Sequence, residues 1–215
     1  MMKRTIAFLL LSLSLLLLFT GCVEDDCKDD TLPAPEKPVI YLYPEEPTAV
    51  SVKLDFDGTL TSTYPAYGDG WEVIAQPDGT LTDPDTGREY YCLFWEGASD
   101  RSYDLSTGFV VAGADTAAFL EDALARLGLA EREANEFIIY WLPRMEHNAY
   151  NLISFQQETY TDGAVLTIEP RPDSLLRVFM AWKPLDAPVE IAPQEFAPFQ
   201  REGFTVVEWG GCELS

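Results

Sequence analysis

The sequence predicts a strand-dominated α+β fold, in which an antiparallel β-sandwich-like body carries a helical insertion. From Val39 onward, apolar residues mostly recur with a period of two, as in strands with one buried face. Proline, glycine, aspartate and asparagine separate these segments at short intervals. One segment after residue 115 changes to helical periodicity. Since 47% of the residues are apolar and 13% aromatic, we expect a packed core.

The helix is predicted at about 115–127, with Asp115 or Thr116 as its N-terminal cap and Gly128 as its stop. A shorter helix at 131–136 is expected to run into a strand at 137–142. The remaining strands are predicted at 38–43, 50–56, 59–64, 71–75, 79–82, 89–95, 107–112, 150–156, 163–168, 175–182, 188–191 and 204–209.

The N-terminus has the parts of a secretory signal peptide, predicted at 1–21. Lys3-Arg4 precede a 14-residue apolar run that ends at Phe19. As a helix this run spans only about 21 Å, against roughly 30 Å of membrane hydrocarbon. The ending Leu18-Phe19-Thr20-Gly21-Cys22 resembles the bacterial lipobox, which implies that Cys22 is lipidated. The resemblance predicts a cell-membrane lipoprotein on the extracytoplasmic face; the alternative is an ordinary secreted protein with an incidental Cys22.

The remaining chain is predicted to form an acidic, proline-rich tether at 22–37 and a single globular domain at 38–215. The formal charge is −22, and it becomes −24 without residues 1–21. Such a surface repels phosphate backbones, so nucleic acid is not expected as a partner. The expected partners are the membrane, through the lipid, and a glycan or another ligand of the cell envelope.

The segment Asp55-Phe-Asp57-Gly58-Thr59 resembles the first motif of the haloacid dehalogenase phosphatases. The resemblance implies that Asp55 is a nucleophile and Asp57 an acid/base. However, polar residues alternate with apolar ones at 50–56, which predicts an antiparallel strand with one wet face, whereas that family's first strand is parallel and buried. Asp-Gly-Thr-Leu-Thr also occurs twice, at 57–61 and 78–82. We therefore expect both copies to be β-hairpin turns.

Two predicted strand ends combine tryptophan with glutamate, and each is followed by glycine. These are Trp95-Glu96 and Glu208-Trp209. Aromatic faces beside carboxylates are typical of sugar-binding clefts, and paired carboxylates are typical of glycosidases. The four residues are therefore candidate ligand-binding residues, with Glu96 and Glu208 as the catalytic pair if the protein is a hydrolase. The alternative is that the tryptophans fill the core.

Alternating carboxylates at Asp83, Asp85 and Glu89 surround a glycine and suggest a calcium site, although an ordinary turn explains them equally. His147 is the sole histidine, which excludes zinc sites built from several imidazoles. We expect it on an exposed loop.

Cys92 lies in an apolar strand and is expected to be an inert core thiol. A bridge between Cys27 and Cys212 is left open.

Phrases at 37–44, 94–97, 137–143 and 204–211 resemble an uncharacterised family of bacterial exported proteins. The resemblance covers about 37–212 and implies one intact domain rather than an activity. The sequence therefore favours a surface-anchored lipoprotein that acts as a binding or structural module, with a glycosidase-like envelope hydrolase as the alternative.

Overall fold

The computed structural model describes residues 36–214, in which twelve strands and three α-helices follow one another. Their bounds are β1 Glu36–Tyr43, β2 Thr48–Phe56, β3 Thr59–Tyr64, β4 Trp71–Ala75, β5 Leu81–Thr82, β6 Glu89–Tyr90, β7 Leu93–Ala98, β8 Phe109–Ala112, α1 Thr116–Leu127, α2 Glu131–Met145, β9 Tyr150–Gln156, α3 Glu158–Gly163, β10 Ala164–Glu169, β11 Ser174–Leu185 and β12 Thr205–Glu213. The predicted signal peptide, Cys22 and Cys27 lie outside the described residues. Glu36 and Lys37, assigned above to the tether, belong to β1.

The strands form two sheets, which confirms the strand-dominated, sandwich-like α+β fold. Sheet A has seven strands in the order β3-β7-β1-β12-β11-β9-β8, and sheet B has five in the order β10-β2-β4-β5-β6. Neighbouring strands pair antiparallel in the described chain, except that β11 and β12 run parallel.

Sheet A is covered on both faces. Sheet B packs on one face, around a core that includes Trp95, Phe179 and Val206. The helices α1 and α2 pack on the other, around Trp141, Trp182 and Trp209. Because successive residues of a strand point to opposite faces, neighbours in a central strand of sheet A enter different cores. This explains why β12 is buried at every position from Thr205 to Cys212.

The helical insertion is longer than predicted. Helix α1 ends as expected at Gly128, whose φ is +102°. The predicted strand at 137–142 is wrong, because α2 continues through this segment to Met145. Phe137 and Trp141, one turn apart, face the core, whereas Ile139 is 73% exposed. A strand would place all three on one side.

The two Asp-Gly copies have different structures. The second is the predicted hairpin, since β4 pairs with β5 and Gly79 has φ of +88°. The first is not a hairpin, because β2 belongs to sheet B and β3 to sheet A. Gly58 lacks a positive φ there, and it is needed for space, since a Cβ would lie 2.4 Å from the carbonyl oxygen of Ala98.

Two further predictions differ from the structure, and one element was not predicted. The strand expected at 89–95 is divided, since β6 lies in sheet B and β7 in sheet A. No strand forms at 188–191, where the nearest pairing is a single bridge between Thr107 and Ala192. The short helix α3 was not predicted. Within residues 36–214, no helix has the length and apolarity needed to cross a membrane.

Candidate functional site

The structure brings Trp95 and Glu208 together, although they are 113 residues apart in the chain. The indole N–H of Trp95 donates to Glu208 Oε1 at 3.1 Å. Nε of Arg177 donates to Glu208 Oε2 at 2.6 Å. Trp95 and Glu208 are 0% exposed, and the Arg177 side chain is 8% exposed. This cluster lies between the two sheets, and the Glu208 carboxylate is not accessible to solvent.

The surroundings of the ion pair are those of a core. Nη1 of Arg177 donates to the carbonyl of Ala164 at 2.6 Å, and the guanidinium lies 4.8 Å from the Tyr160 ring centroid. Burial, reinforced by the charge of Glu208, raises the pKa of Tyr160, so this phenol stays neutral. The carboxylate of Glu208 is therefore held by two donors inside the protein and cannot attack or protonate a substrate from solvent.

Glu96 and Trp209 lie on the opposite face of sheet A from Trp95 and Glu208, because neighbours in a strand point to opposite sides. Glu96 Oε1 accepts the backbone N–H of Lys37 at 3.4 Å. Trp209 is 0% exposed, with its ring 5.2 Å from Phe137. The predicted cleft of two tryptophans and two glutamates is therefore wrong, and so is the catalytic pairing of Glu96 with Glu208.

The predicted calcium residues form a turn. The Asp83 carboxylate accepts the backbone N–H groups of Asp85 at 3.0 Å and Thr86 at 2.8 Å. The bonds from Thr86 lower the pKa of Asp83. Within 36–214, no three histidine, cysteine, aspartate or glutamate residues gather as a metal site requires. The calcium site at Asp83, Asp85 and Glu89 is therefore not supported, and the turn alternative is confirmed.

The phosphatase-like aspartates also lack the setting that the resemblance implies. Strand β2 is antiparallel to both of its neighbours, β10 and β4. Asp55 is exposed on the outer face of sheet B, and Asp57 pairs with Nη2 of Arg101 at 2.8 Å. A nucleophile at the end of a buried parallel strand is therefore not formed.

The single histidine and Cys92 lie where the sequence predicts. The side chain of His147 is 87% exposed. Cys92 is 8% exposed, which confirms its expected position in the core, and burial raises the pKa of its thiol to about 11. Cys212 is also buried, and its pKa is likewise raised by burial. A bridge from Cys212 to Cys27 involves a residue outside the described range.

A cavity of about 410 Å³ lies where the edges of the two sheets meet. We call it the tyrosine pocket. The Tyr64 and Tyr90 rings contact each other edge to face across this seam, with centroids 5.5 Å apart. Tyr64 ends β3 in sheet A, and Tyr90 ends β6 in sheet B. The lining consists of Lys37, Val39, Tyr64, Arg88, Glu89, Tyr90, Tyr91, Cys92 and Phe94.

The mouth of the tyrosine pocket exposes two aromatic side chains, since Tyr64 is 52% and Tyr91 49% exposed. Tyr91 is free to point outward because the chain passes from sheet B to sheet A at Tyr91-Cys92. The site was not predicted from the sequence, because 89–95 was expected to form one strand. The signal in the sequence was the adjacent pair Tyr90-Tyr91. Neighbouring strand residues face opposite sides, and each tyrosine hydroxyl needs a hydrogen-bond partner or water, so a strand buried on both faces suits this pair poorly.

A cavity of about 460 Å³ near β9 offers less for a ligand. The side-chain amide of Gln194 bonds both the N–H and the carbonyl of Phe155, at 2.8 and 2.9 Å. The amide N–H₂ of Gln156 bonds the carbonyl of Asp104 at 2.9 Å. Because these amides are engaged with the backbone, the tyrosine pocket is the better candidate site.

Comparison with known proteins identifies a partial relative. An uncharacterized protein described as lying in the bglA 3' region of Butyrivibrio fibrisolvens is 47% identical over 64 residues, which represent 28% of this chain and 65% of that protein. The chain thus covers a little under two thirds of this relative. No family model matches the chain, and no solved structure matches it.

Proposed function

We propose that this protein is a lipid-anchored binding module of the bacterial cell envelope and that it binds a glycan in the tyrosine pocket. The observation that carries the proposal is the pair of half-exposed rings, Tyr64 and Tyr91, at the mouth of a 410 Å³ cavity. A volume of this size is typical of small-ligand sites, which are mostly lined by aromatic and apolar side chains with a few polar groups.

Tyrosine suits a sugar ligand. It supplies a rigid apolar face for the ring carbons and a hydroxyl for the ring hydroxyls, and it has few rotatable bonds to immobilise. The tyrosine pocket holds three tyrosines and one phenylalanine within one cavity. This arrangement supports binding rather than hydrolysis. A glycosidase needs two carboxyl groups about 5 to 10 Å apart, and the lining contains one, Glu89.

The location follows from the N-terminal sequence. The signal-like segment and Cys22 support export and lipidation, and residues 22–35 extend to at most about 50 Å. Strand β1 begins at Glu36, and the next residue, Lys37, lines the tyrosine pocket. The pocket therefore opens close to the point where the tether joins the domain, within reach of glycans near the membrane surface.

Binding is tested by screening the purified full chain against a glycan array and measuring the hits by calorimetry. We expect Tyr64→Ala and Tyr91→Ala each to weaken binding at least tenfold while the circular dichroism spectrum stays unchanged. Tyr150→Ala is the matched control, because Tyr150 is a partly exposed tyrosine of β9, near the opposite edge of sheet A. The absence of any glycan hit, or equal losses in all three variants, would contradict the proposed binding site.

Anchoring is tested separately with Cys22→Ala. We expect this variant to leave the membrane fraction or to remain unprocessed, because the acylated residue is lost. Cys27→Ala, five residues further along, is the control and should fractionate like the wild type. Unchanged membrane retention and gel mobility of Cys22→Ala would contradict the anchor.

A further inference from the structure

We infer that the tyrosine pocket selects an anionic sugar, namely a glycan unit that carries a carboxylate. The inference rests on the proposed function and adds the charge class of the ligand. Lys37 and Arg88 carry the argument, because both are cationic residues of the lining.

The backbone of Lys37 is the first observation. Its φ is +56°, and it is the one non-glycine residue within 36–214 that has a positive φ. The pairing of β1 with β12 shifts register between Glu36 and Val39, as at a β-bulge. Strain of this kind is concentrated at functional sites, where bulges redirect side chains. The bulge places Nζ of Lys37 5.5 Å from the ring centroid of Phe94, a residue of the pocket wall.

Two sets of contacts hold the bulge in place. The carboxylate of Glu36 accepts the hydroxyl of Tyr140 at 3.0 Å and pairs with Arg144. Glu96 accepts the backbone N–H of Lys37. Glu96, which the sequence analysis selected as a ligand-binding residue, thus positions Lys37. The strained residue is fixed by its neighbours rather than by a partner for its ammonium group.

The second observation is that both cations of the pocket lack a carboxylate partner among the described residues. Nζ of Lys37 lies 5.5 Å from the ring centroid of Phe94 and 5.6 Å from that of Tyr140. The Arg88 guanidinium carbon lies 5.9 Å from the Tyr90 ring. Six arginines within 36–214 form salt bridges, namely Arg101, Arg126, Arg132, Arg144, Arg177 and Arg201. The lysines and arginines of that range without one are Lys37, Lys53, Arg88, Arg171 and Lys183, two of which line this pocket.

The charge of the whole chain makes this local excess informative. With 36 acidic residues against 14 basic ones, a carboxylate partner is easily supplied. The lining nevertheless has two cations and one acid, Glu89. Two further acids lie beside Lys37 outside the lining: Glu36 pairs with Arg144, and Glu96 accepts the Lys37 backbone N–H. Acids more than about 8 Å away are largely screened at physiological ionic strength, so the cations of the lining are the charges that a ligand inside the pocket meets first. A carboxylate complements them, and a guanidinium can hold it through two parallel N–H donors.

Hexuronate units combine the required features. The ring carbons present an apolar face to Tyr64 or Tyr91, and the carboxylate on the ring lies within the same small unit, where Lys37 or Arg88 can bind it. A neutral sugar uses the aromatic surface and leaves the two cations unpaired. We therefore expect the charged ligand to bind more tightly than a neutral ligand with the same rings.

The test measures binding of the full chain to trisaccharides of galacturonate, glucuronate and mannuronate, each compared with its neutral methyl ester. We expect at least one acid to bind ten times or more tightly than its ester. Lys37→Met and Arg88→Met should each reduce that ratio at least threefold, whereas Lys37→Arg should retain most of it. Lys53→Met is the control, because Lys53 is an exposed lysine of β2, outside the pocket and also without a salt bridge in the described range.

The outcomes separate the two proposals. If neutral glycans or the esters bind as tightly as the acids, and Tyr91→Ala weakens them, the charge inference is overturned while the proposed function stands. If no acid, ester or neutral glycan binds, both are overturned. If Lys53→Met lowers the ratio as much as Lys37→Met, the preference reflects overall charge, which also overturns the inference.

Discussion

Replacing Glu208 by glutamine tests whether this carboxylate is a core ion-pair partner or a site residue. The carboxylate accepts from two donors, Nε1 of Trp95 and Nε of Arg177. The amide has one oxygen and can satisfy only one of them, so its N–H₂ group faces the other donor. The guanidinium would then be a buried cation without a counter-charge, at 8% exposure.

The expected loss of unfolding free energy is about 3–5 kcal/mol, the usual result of breaking a buried ion pair by removing one partner. For a domain of this size, that loss corresponds to a fall in Tm of about 6–20 °C. A double variant, Glu208→Leu with Arg177→Met, removes both charges. It should be more stable than Glu208→Gln, because no uncompensated charge stays buried.

The measurement is urea unfolding followed by tryptophan fluorescence and far-ultraviolet circular dichroism at pH 7. Glu96→Gln is the matched control. Glu96 is partly exposed and accepts a long bond of 3.4 Å from the Lys37 N–H, so we expect the unfolding free energy to change by less than about 1 kcal/mol. A stability of Glu208→Gln within 0.5 kcal/mol of the wild type would refute the reasoning. Equal losses in both glutamine variants would also refute it.

Three further predictions follow from the fold. Ile139→Glu should change the unfolding free energy by less than about 0.5 kcal/mol, because Ile139 is 73% exposed on α2; a loss above 2 kcal/mol in urea unfolding would favour a buried strand. Gly58→Ala should lose about 1–3 kcal/mol, because its Cβ would lie 2.4 Å from a backbone oxygen; wild-type stability would contradict that crowding. Burial and the nearby Glu36 raise the pKa of Tyr140 from 10.0 to about 12. As the pH rises, the unfolded chain therefore loses this proton before the folded chain does. The contribution of the phenol to the unfolding free energy is fully present below pH 10 and declines between pH 10 and 12. In Tyr140→Phe the unfolding free energy should fall less steeply with pH in this range, and an unchanged slope would argue against the shift.

The sequence pattern predicted the elements whose conformation depends on neighbouring residues alone. Period-two alternation predicted β2 and β4 because each buries only one face, against the opposite sheet. Helix α1 ends at Gly128 as predicted, because a left-handed residue at that position is a property of the backbone itself. The hairpin at Gly79 has the same kind of cause.

Tertiary structure decided the elements whose local pattern is ambiguous. The apolar run 137–142 fits either a helix or a strand, and its position against sheet A selected the helix with Ile139 outside. The segments 57–58 and 91–92 both pass from one sheet to the other. The sequence at 57–58 is equally compatible with a hairpin turn, and the sequence at 91–92 is equally compatible with one continuous strand. The rest of the fold determines which strand the next segment can pair with, and the local sequence does not specify that partner.

The candidate site follows the same division. The sequence by itself determined that tryptophan and glutamate are neighbours at 95–96 and 208–209, and that neighbours in a strand diverge. The burial of Glu208 depends on tertiary structure, because sheet B packs over the face of sheet A that carries it. Glu208 therefore lies between the sheets, in contact with Trp95 and Arg177. The tyrosine pocket likewise exists only where the edges of two sheets meet, because its walls come from β1, β3, β6 and β7. The local sequence determines that successive side chains of a strand point to opposite faces of the sheet. Distant segments of the chain determine which of these faces becomes buried.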